Sequence, residues 1–228
     1  MRVERCEHAA ELADATASLL ASLLDDALAT RGAAHLALAG GTTPAGAYAQ
    51  LRPSRWDGVE LWFGDERAVR PDDPQSNFAM VERSLLGHAA GALVHRIEGE
   101  RGAEEAAERY DALLRERLGE RVVLDIVLLG IGEDGHTASL FPASAALAER
   151  ERAAVAVHGA PKPPPDRVSL TLPVLRAARA CILLASGEGK AAALARVLAG
   201  PDDAVPASLL ERERLTILAD GAALGDGA

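Results

Sequence analysis

The stretch LLGIGEDGHTASLFP, residues 128–142, sets Asp134 and His136 two residues apart where an apolar run ends, among Gly130, Gly132 and Gly135. An imidazole ionises near neutral pH, so a histidine at a strand tip can take a proton from water, and a carboxylate beside it can orient the ring. The same glycines also spell G-x-G-x-x-G, the dinucleotide-binding fingerprint, which requires an acidic residue at the end of the next strand to hold a ribose. Here the next apolar run, AAVAVH (153–158), ends in His158, while Glu149 and Glu151 come before it. The fingerprint fails at that check. The glycines therefore read as a tight turn that carries Asp134 and His136.

Other stretches offer the groups that such a base would need around it. In GGTTP (40–44), Gly40 and Gly41 let the backbone approach a ligand, Thr42 and Thr43 can donate, and Pro44 suits a first helical turn. Two readings fit: an anion cradle, in which backbone N–H groups and a helix N-terminus favour phosphate by about 0.3–1 kcal/mol per exposed interaction, and an ordinary strand-to-helix turn with Thr43 as N-cap. GDERAVRPDDPQSN (64–77) puts Asp65, Glu66 and Arg67 in a row, ahead of a helix opening near Ser76 and Asn77. Solvated loop charges are one reading; a site is the other, because long irregular loops at a sheet's carboxyl edge commonly carry function.

Arg167 opens a strand after the stiff loop PKPPPD (161–166), and Lys190 lies in ASGEGKAA (185–192). The latter is no Walker A loop, since Leu184 stands where the first glycine belongs and Ala191 follows the lysine. A cation in the first turn of a helix opposes the dipole, which favours a shared anion over a merely solvated lysine.

Positioning these residues calls for strands that end side by side. Apolar runs alternate with segments of helical period, the pattern of βα units around a mostly parallel sheet. The strand candidates are residues 35–40, 59–64, 93–98, 122–130, 153–158, 167–172, 181–186 and 215–220; the clearest helices run over 7–30, 103–118 and 187–198. The expected fold is one α/β domain over residues 1–228, a mostly parallel open sheet with helices on both faces, Rossmann-like. Ligands of such sheets sit outside the carboxyl ends of the strands, where all of the residues above fall.

Composition narrows the partners. A chain of 228 residues with 49% apolar content and a net charge of -10 lacks the basic stripe that nucleic acid requires. A small anion remains compatible, because charges beyond a Debye length of roughly 8 Å are screened and the local field decides. Of the basic residues, 22 are arginines and only Lys162 and Lys190 are lysines. Glu7, Glu11 and Asp14 interrupt any leader-like apolar region, and no long uncharged apolar run occurs, so the expectation is a cytoplasmic protein with no membrane partner. Cys6 and Cys181 are too few for a disulfide framework or a metal site.

Together, LALAGGTTPAGAY, WFGDERAVRPDDPQSNF, LLGIGEDGHTASLFP and RVSLTLPVLRAARACILLASGEGKA, in that order and over nearly the whole chain, resemble the 6-phosphogluconolactonase family. Arg70 departs from it, standing where relatives often have proline. The resemblance implies hydrolysis of 6-phospho-D-glucono-1,5-lactone without metal or cofactor, by a monomer or weak homodimer. By that analogy His136 is the base, Asp134 orients it and Arg67 lies near the lactone carbonyl. Gly40, Gly41, Thr42, Thr43, Asp65, Arg167 and Lys190 bind substrate, with the phosphate on Gly41, Thr42 and Thr43 and countercharge from Arg167 and Lys190. Two alternatives stay open: a sugar-phosphate deaminase or isomerase, and a non-catalytic phosphosugar-sensing module.

Overall fold

The computed structural model describes residues 1–225. Its centre is a seven-stranded parallel sheet made of β1 (Arg2–Cys6), β2 (Ala34–Leu38), β3 (Val59–Phe63), β5 (Leu93–Val94), β6 (Ile126–Gly130), β9 (Ala180–Ala185) and β10 (Leu215–Asp220). Their order is β1-β10-β9-β6-β2-β3-β5. The inner strands are buried on both faces, which is why AHLAL, VELWF and IVLLG read as continuous apolar runs and not as alternating ones. Helix α1 (Ala9–Arg31) lays Leu12, Leu20, Leu24 and Leu28 into the core; the His8 side chain caps its start and Gly32, at φ 77°, ends it.

A second sheet departs from the sequence expectation. β4 (Asp65–Arg67), β8 (Arg167–Leu170) and β7 (Ala154–Val157) form a three-stranded antiparallel sheet, so the runs at 153–158 and 167–172 do not join the parallel one. β4 itself was expected to be loop. Gly64 joins the two sheets: its N–H donates to Leu38 O at 2.8 Å, and its carbonyl accepts from Leu170 N at 2.8 Å. The chain therefore passes from one sheet to the other without a turn.

Other differences follow from local chemistry. β1 went unread because RVERC is charged and mostly exposed at the sheet edge. The strand read at 93–98 shrinks to Leu93–Val94. The run at 122–130 pairs only from Ile126, because the Asp125 carboxylate takes the His35 N–H at 2.9 Å and pairs with Arg31 at 2.8 Å. The helix read from Gly187 opens with a 3-10 turn, Glu188–Lys190, before α6 (Ala191–Ala199). Among the described residues no helix is long and apolar enough to cross a membrane.

Candidate active site

Because β6, β2 and β3 are neighbours, the turns leaving their carboxyl ends meet. They enclose a cavity of about 150 Å³, into which Gly40, Gly41, Asp65, Arg67, His136 and Arg167 project. His136 Nδ1 lies 2.5 Å from Asp134 Oδ1, and the same oxygen accepts the His136 N–H at 3.2 Å. Two-residue spacing on the turn thus does bring the pair into contact. An ionised carboxylate only accepts, so Nδ1 carries the proton and Nε2 presents its lone pair. Burial alone pushes the Asp134 carboxyl up, but the hydrogen bonds it accepts from His136 outweigh this and hold it below the usual carboxylate range.

The turn admits only glycine at two positions. A Cβ on Gly132 would stand 2.0 Å from His136 Nδ1 and 2.5 Å from Asp134 Oδ1. Gly135 has φ 83°, and a Cβ there would lie 2.7 Å from Val205 Cγ1. The glycines thus clear room for a carboxylate–imidazole pair, where a dinucleotide fold would admit a pyrophosphate.

The rest of the string anchors the turn. Thr137 Oγ1 donates to Gly130 O at 2.9 Å, and Ser139 Oγ donates to Asp65 Oδ2 at 2.6 Å. Ala138, at φ 49°, sits in the left-handed region on the cavity wall. Phe141 packs against the His136 ring with centroids 4.5 Å apart, while the Arg167 guanidinium lies 5.5 Å from the same phenyl centroid.

Asp65, Glu66 and Arg67 separate into distinct tasks. The Glu66 carboxylate is buried and accepts from the N–H groups of Arg67, Asn77 and Phe78 and from Ser76 Oγ, closing the 68–77 loop into the start of α3 (Asn77–Val81). Burial nevertheless holds its carboxyl above the ordinary value. Asp65 faces the cavity, steadied by Ser139 and by Asn77 Nδ2 at 3.2 Å. Arg67 donates to Gln75 O, yet its buried Nε has no partner among the described residues. Arg70, at the departure from the family pattern, is exposed and pairs with Asp72 at 3.0 Å, away from the cavity wall.

Arg167 is 4% exposed and donates to Pro164 O and Lys162 O at 3.0 and 2.7 Å. It stands directly opposite Arg67 in the β4–β8 ladder. Burial, and then the charge of Arg67, pull its guanidinium below the ordinary arginine value, with Asp65 opposing.

The glycine turn leads into α2 (Thr42–Gln50), whose N-cap is Gly41 at φ 108° with no side-chain cap. Thr43 is therefore not the N-cap, and the first N–H groups of α2 lack the side-chain acceptor that usually satisfies them. Tyr48 OH braces the turn from beneath, bonded to Ala39 N at 2.8 Å and Ala39 O at 2.9 Å. Thr42, Thr43, Asp134 and Lys190 do not line the cavity. Thr42 is exposed on the first turn of α2, and Lys190 is half-buried on a neighbouring turn that abuts Glu133, where a Cβ on Gly189 would lie 3.3 Å from Glu133 Oε1.

Residues 7–218 match the family model for glucosamine-6-phosphate isomerases/6-phosphogluconolactonase. The chain belongs to this family. A 6-phosphogluconolactonase of Streptomyces coelicolor is 39% identical over 232 residues, covering 93% of this chain and 89% of that protein. The human 6-phosphogluconolactonase is 41% identical, covering 85% and 69%. Among solved structures, 6-phosphogluconolactonase from Trypanosoma cruzi superposes with TM-score 0.89 at 28% identity, covering 100% and 97%. A monomeric glucosamine-6-phosphate deaminase superposes with TM-score 0.82 at 25% identity, covering 98% and 99%. Both branches of the family share this fold, so the side chains in the cavity have to separate them.

The sequence reading missed Asn77, Ser139 and Phe141, although all lie inside the quoted strings. They carry no proton and no charge to the cavity, and act by holding Asp65, His136 and Arg167. Among the described residues no group of three or more His, Cys, Asp or Glu is arranged to hold an ion.

Proposed function

We propose that this family member hydrolyses 6-phospho-D-glucono-1,5-lactone to 6-phosphogluconate, with His136 as general base. The observation that carries the reading is the Asp134–His136 pair, whose free Nε2 belongs to a residue lining the same small cavity as two arginines that have no carboxylate ion pair among the described residues. A lactone needs a positioned water, a base and charge stabilisation, and no covalent nucleophile.

Nε2 takes a proton from water as its oxygen bonds to the lactone carbonyl carbon. Charge that develops on the carbonyl oxygen meets the Arg67 guanidinium on the cavity wall; losing one such donor costs about 2.7–4 kcal/mol. The tetrahedral intermediate then expels the ring oxygen, which receives the proton held by His136, and the open-chain carboxylic acid results. Asp134 keeps the ring in one tautomer and stabilises the imidazolium between these steps. The phosphate is held by Arg167 and the uncapped N–H groups of Gly41, Thr42 and Thr43, with Lys190 supplying countercharge from the next turn. Asp65 accepts from a sugar hydroxyl. The protein acts in the cytoplasm and uses no metal or cofactor.

The test generates the lactone fresh, subtracts its spontaneous hydrolysis and follows acid release for wild type and His136→Asn. Lactone turnover in wild type with a loss of about 10²–10⁴-fold in the variant, phosphosugar binding being kept, supports the reading. Ammonia release from glucosamine 6-phosphate would establish the deaminase alternative, and binding of 6-phosphogluconate without lactone turnover would establish a sensing module.

A further inference from the structure

His158 stands where a dinucleotide fold would place an acid, and the catalytic steps give it no task. Its surroundings do. His158 follows β7 and Asp166 precedes β8, and because Val157 pairs with Arg167 in that ladder, the two residues close the base of the hairpin loop 159–165. Ala160 N donates to Pro165 O at 2.9 Å and continues the stem. Beyond it the loop folds back over Arg167, whose guanidinium donates to Lys162 O and Pro164 O at 2.7 and 3.0 Å. The place of that guanidinium therefore depends on the place of the loop.

The tip of the loop is not packed. Pro161, Lys162 and Pro163 are exposed, and Gly159, Ala160 and Pro161 border a cavity of about 450 Å³. The His158 ring supplies what packing does not. Its Nδ1 lies 2.9 Å from Asp166 Oδ1 at the foot of the loop, and its Nε2 lies 2.6 Å from Glu104 Oε1 on the first turn of α4 (Ala103–Leu118). An imidazolium donates from both nitrogens and serves both carboxylates; a neutral ring has one N–H and turns a lone pair on the other oxygen. The closed clamp thus needs the charged ring. Asp166 from the hairpin and Glu104 from α4 are the charged groups that face it among the described residues, and Asp134 borders the same cavity. The hydrogen bond to Asp166, and then the charge of Glu104, hold the imidazolium above the ordinary histidine value, with burial opposing.

We propose that His158, as the imidazolium, is a positioning residue for the substrate phosphate: it clamps the 159–165 loop to α4 and so sets the Arg167 guanidinium. The inference rests on the reading that Arg167 holds the phosphate. The clamp is closed at about pH 6.5 and below, and opens as pH rises through the raised folded value. Affinity for the phosphate end therefore falls on the alkaline side, while the chemistry at His136 is left alone.

Titration calorimetry of the full chain with 6-phosphogluconate at about pH 6 and about pH 9 tests this. Affinity is read as the ratio of variant to wild type at each pH, in which the ionisation of the ligand's own phosphate cancels. Exposed ion pairs contribute modestly, so His158→Gln should bind about fivefold more weakly at the lower pH and equal the wild type at the higher one. His158→Arg, charged at both and able to donate to both carboxylates, should match the wild type at the lower pH and bind about fivefold more tightly than it at the higher. In the lactone assay at the lower pH, His158→Gln should raise KM by a similar factor and leave kcat unchanged. A loss in His158→Gln of the same size at both pH values, or no loss where Arg167→Gln does lose affinity, overturns the inference while the reading of Arg167 stands. Undiminished binding in Arg167→Gln removes that reading, and the inference with it.

Discussion

Arg67 and Arg167 face each other directly across the β4–β8 ladder, and among the described residues neither has a carboxylate within ion-pair distance. Like charges opposite one another destabilise an antiparallel pair, and here one guanidinium is almost wholly buried. Such a pair stands at a disadvantage until an anion arrives. The strain is local, and a bound anion would relieve it.

Inorganic phosphate and 6-phosphogluconate should therefore raise the melting temperature of the wild type by more than ionic strength alone. Saturation at a hundred times Kd corresponds to about 2.7 kcal/mol. Arg167→Gln should lose most of that shift, measured by calorimetry against a chloride control at equal ionic strength. An undiminished shift would place the anion elsewhere.

Asp134→Asn should lower kcat while leaving KM near the wild-type value, because it disturbs the ring and not the ligand contacts. An amide can present its NH2 to Nδ1 and favour the wrong tautomer. A loss of about 10²-fold or more is expected in steady-state kinetics. If KM rises with kcat unchanged, Asp134 binds substrate and does not orient the base.

Gly132→Ala probes the space that the pair occupies. The new methyl would overlap Nδ1 of His136, so the ring must leave its place. Turnover should fall at least as far as in Asp134→Asn, with a stability loss of about 1–3 kcal/mol by denaturant titration. Wild-type activity would show that the ring has another productive position.

Away from the cavity, burial lowers the pKa of His35 below the ordinary histidine value, and the nearby carboxylates of Glu60 and Asp125 only partly oppose this. The unfolded chain therefore binds a proton at this residue more readily than the folded one. Stability from this residue is present above about pH 6.5 and is lost as pH falls through the folded value. Denaturation midpoints should drop between pH 7.5 and 5.5, and drop less in His35→Gln. An equal drop in both proteins would assign the acid sensitivity to other groups.

Phe141 should matter more than an ordinary buried phenyl, since its ring touches both His136 and the Arg167 guanidinium. Phe141→Leu keeps an apolar group and gives up both contacts. The expected result is a several-fold loss of kcat/KM shared between kcat and KM, read in the lactone assay. A change confined to thermal stability would reduce Phe141 to packing.

How much could be read in advance differs between the two sheets. The inner parallel strands were legible because strands buried on both faces are continuous apolar runs, and the turns after them were legible because glycines, hydroxyls and charges cluster there. The same rule misassigned β7 and β8, whose AVAV and RVSL look no different from parallel strands. Composition within a strand records burial and carries little information about which neighbour it meets, or in which direction.

The amino-acid order by itself determined the local pieces: a glycine turn able to hold Asp134 against His136, a glycine-led helix start at 40–44, and a charged row at 65–67. Spacing along the chain suffices for those, because each involves residues within a few bonds of one another. Only the tertiary structure decided that Arg67 opposes Arg167, that Ser139 and Asn77 steady Asp65, and that Thr42, Thr43 and Lys190 stand outside the cavity wall. These are matters of ladder register and of which strands lie side by side, fixed by burying one shared core, and no short stretch of sequence contains them.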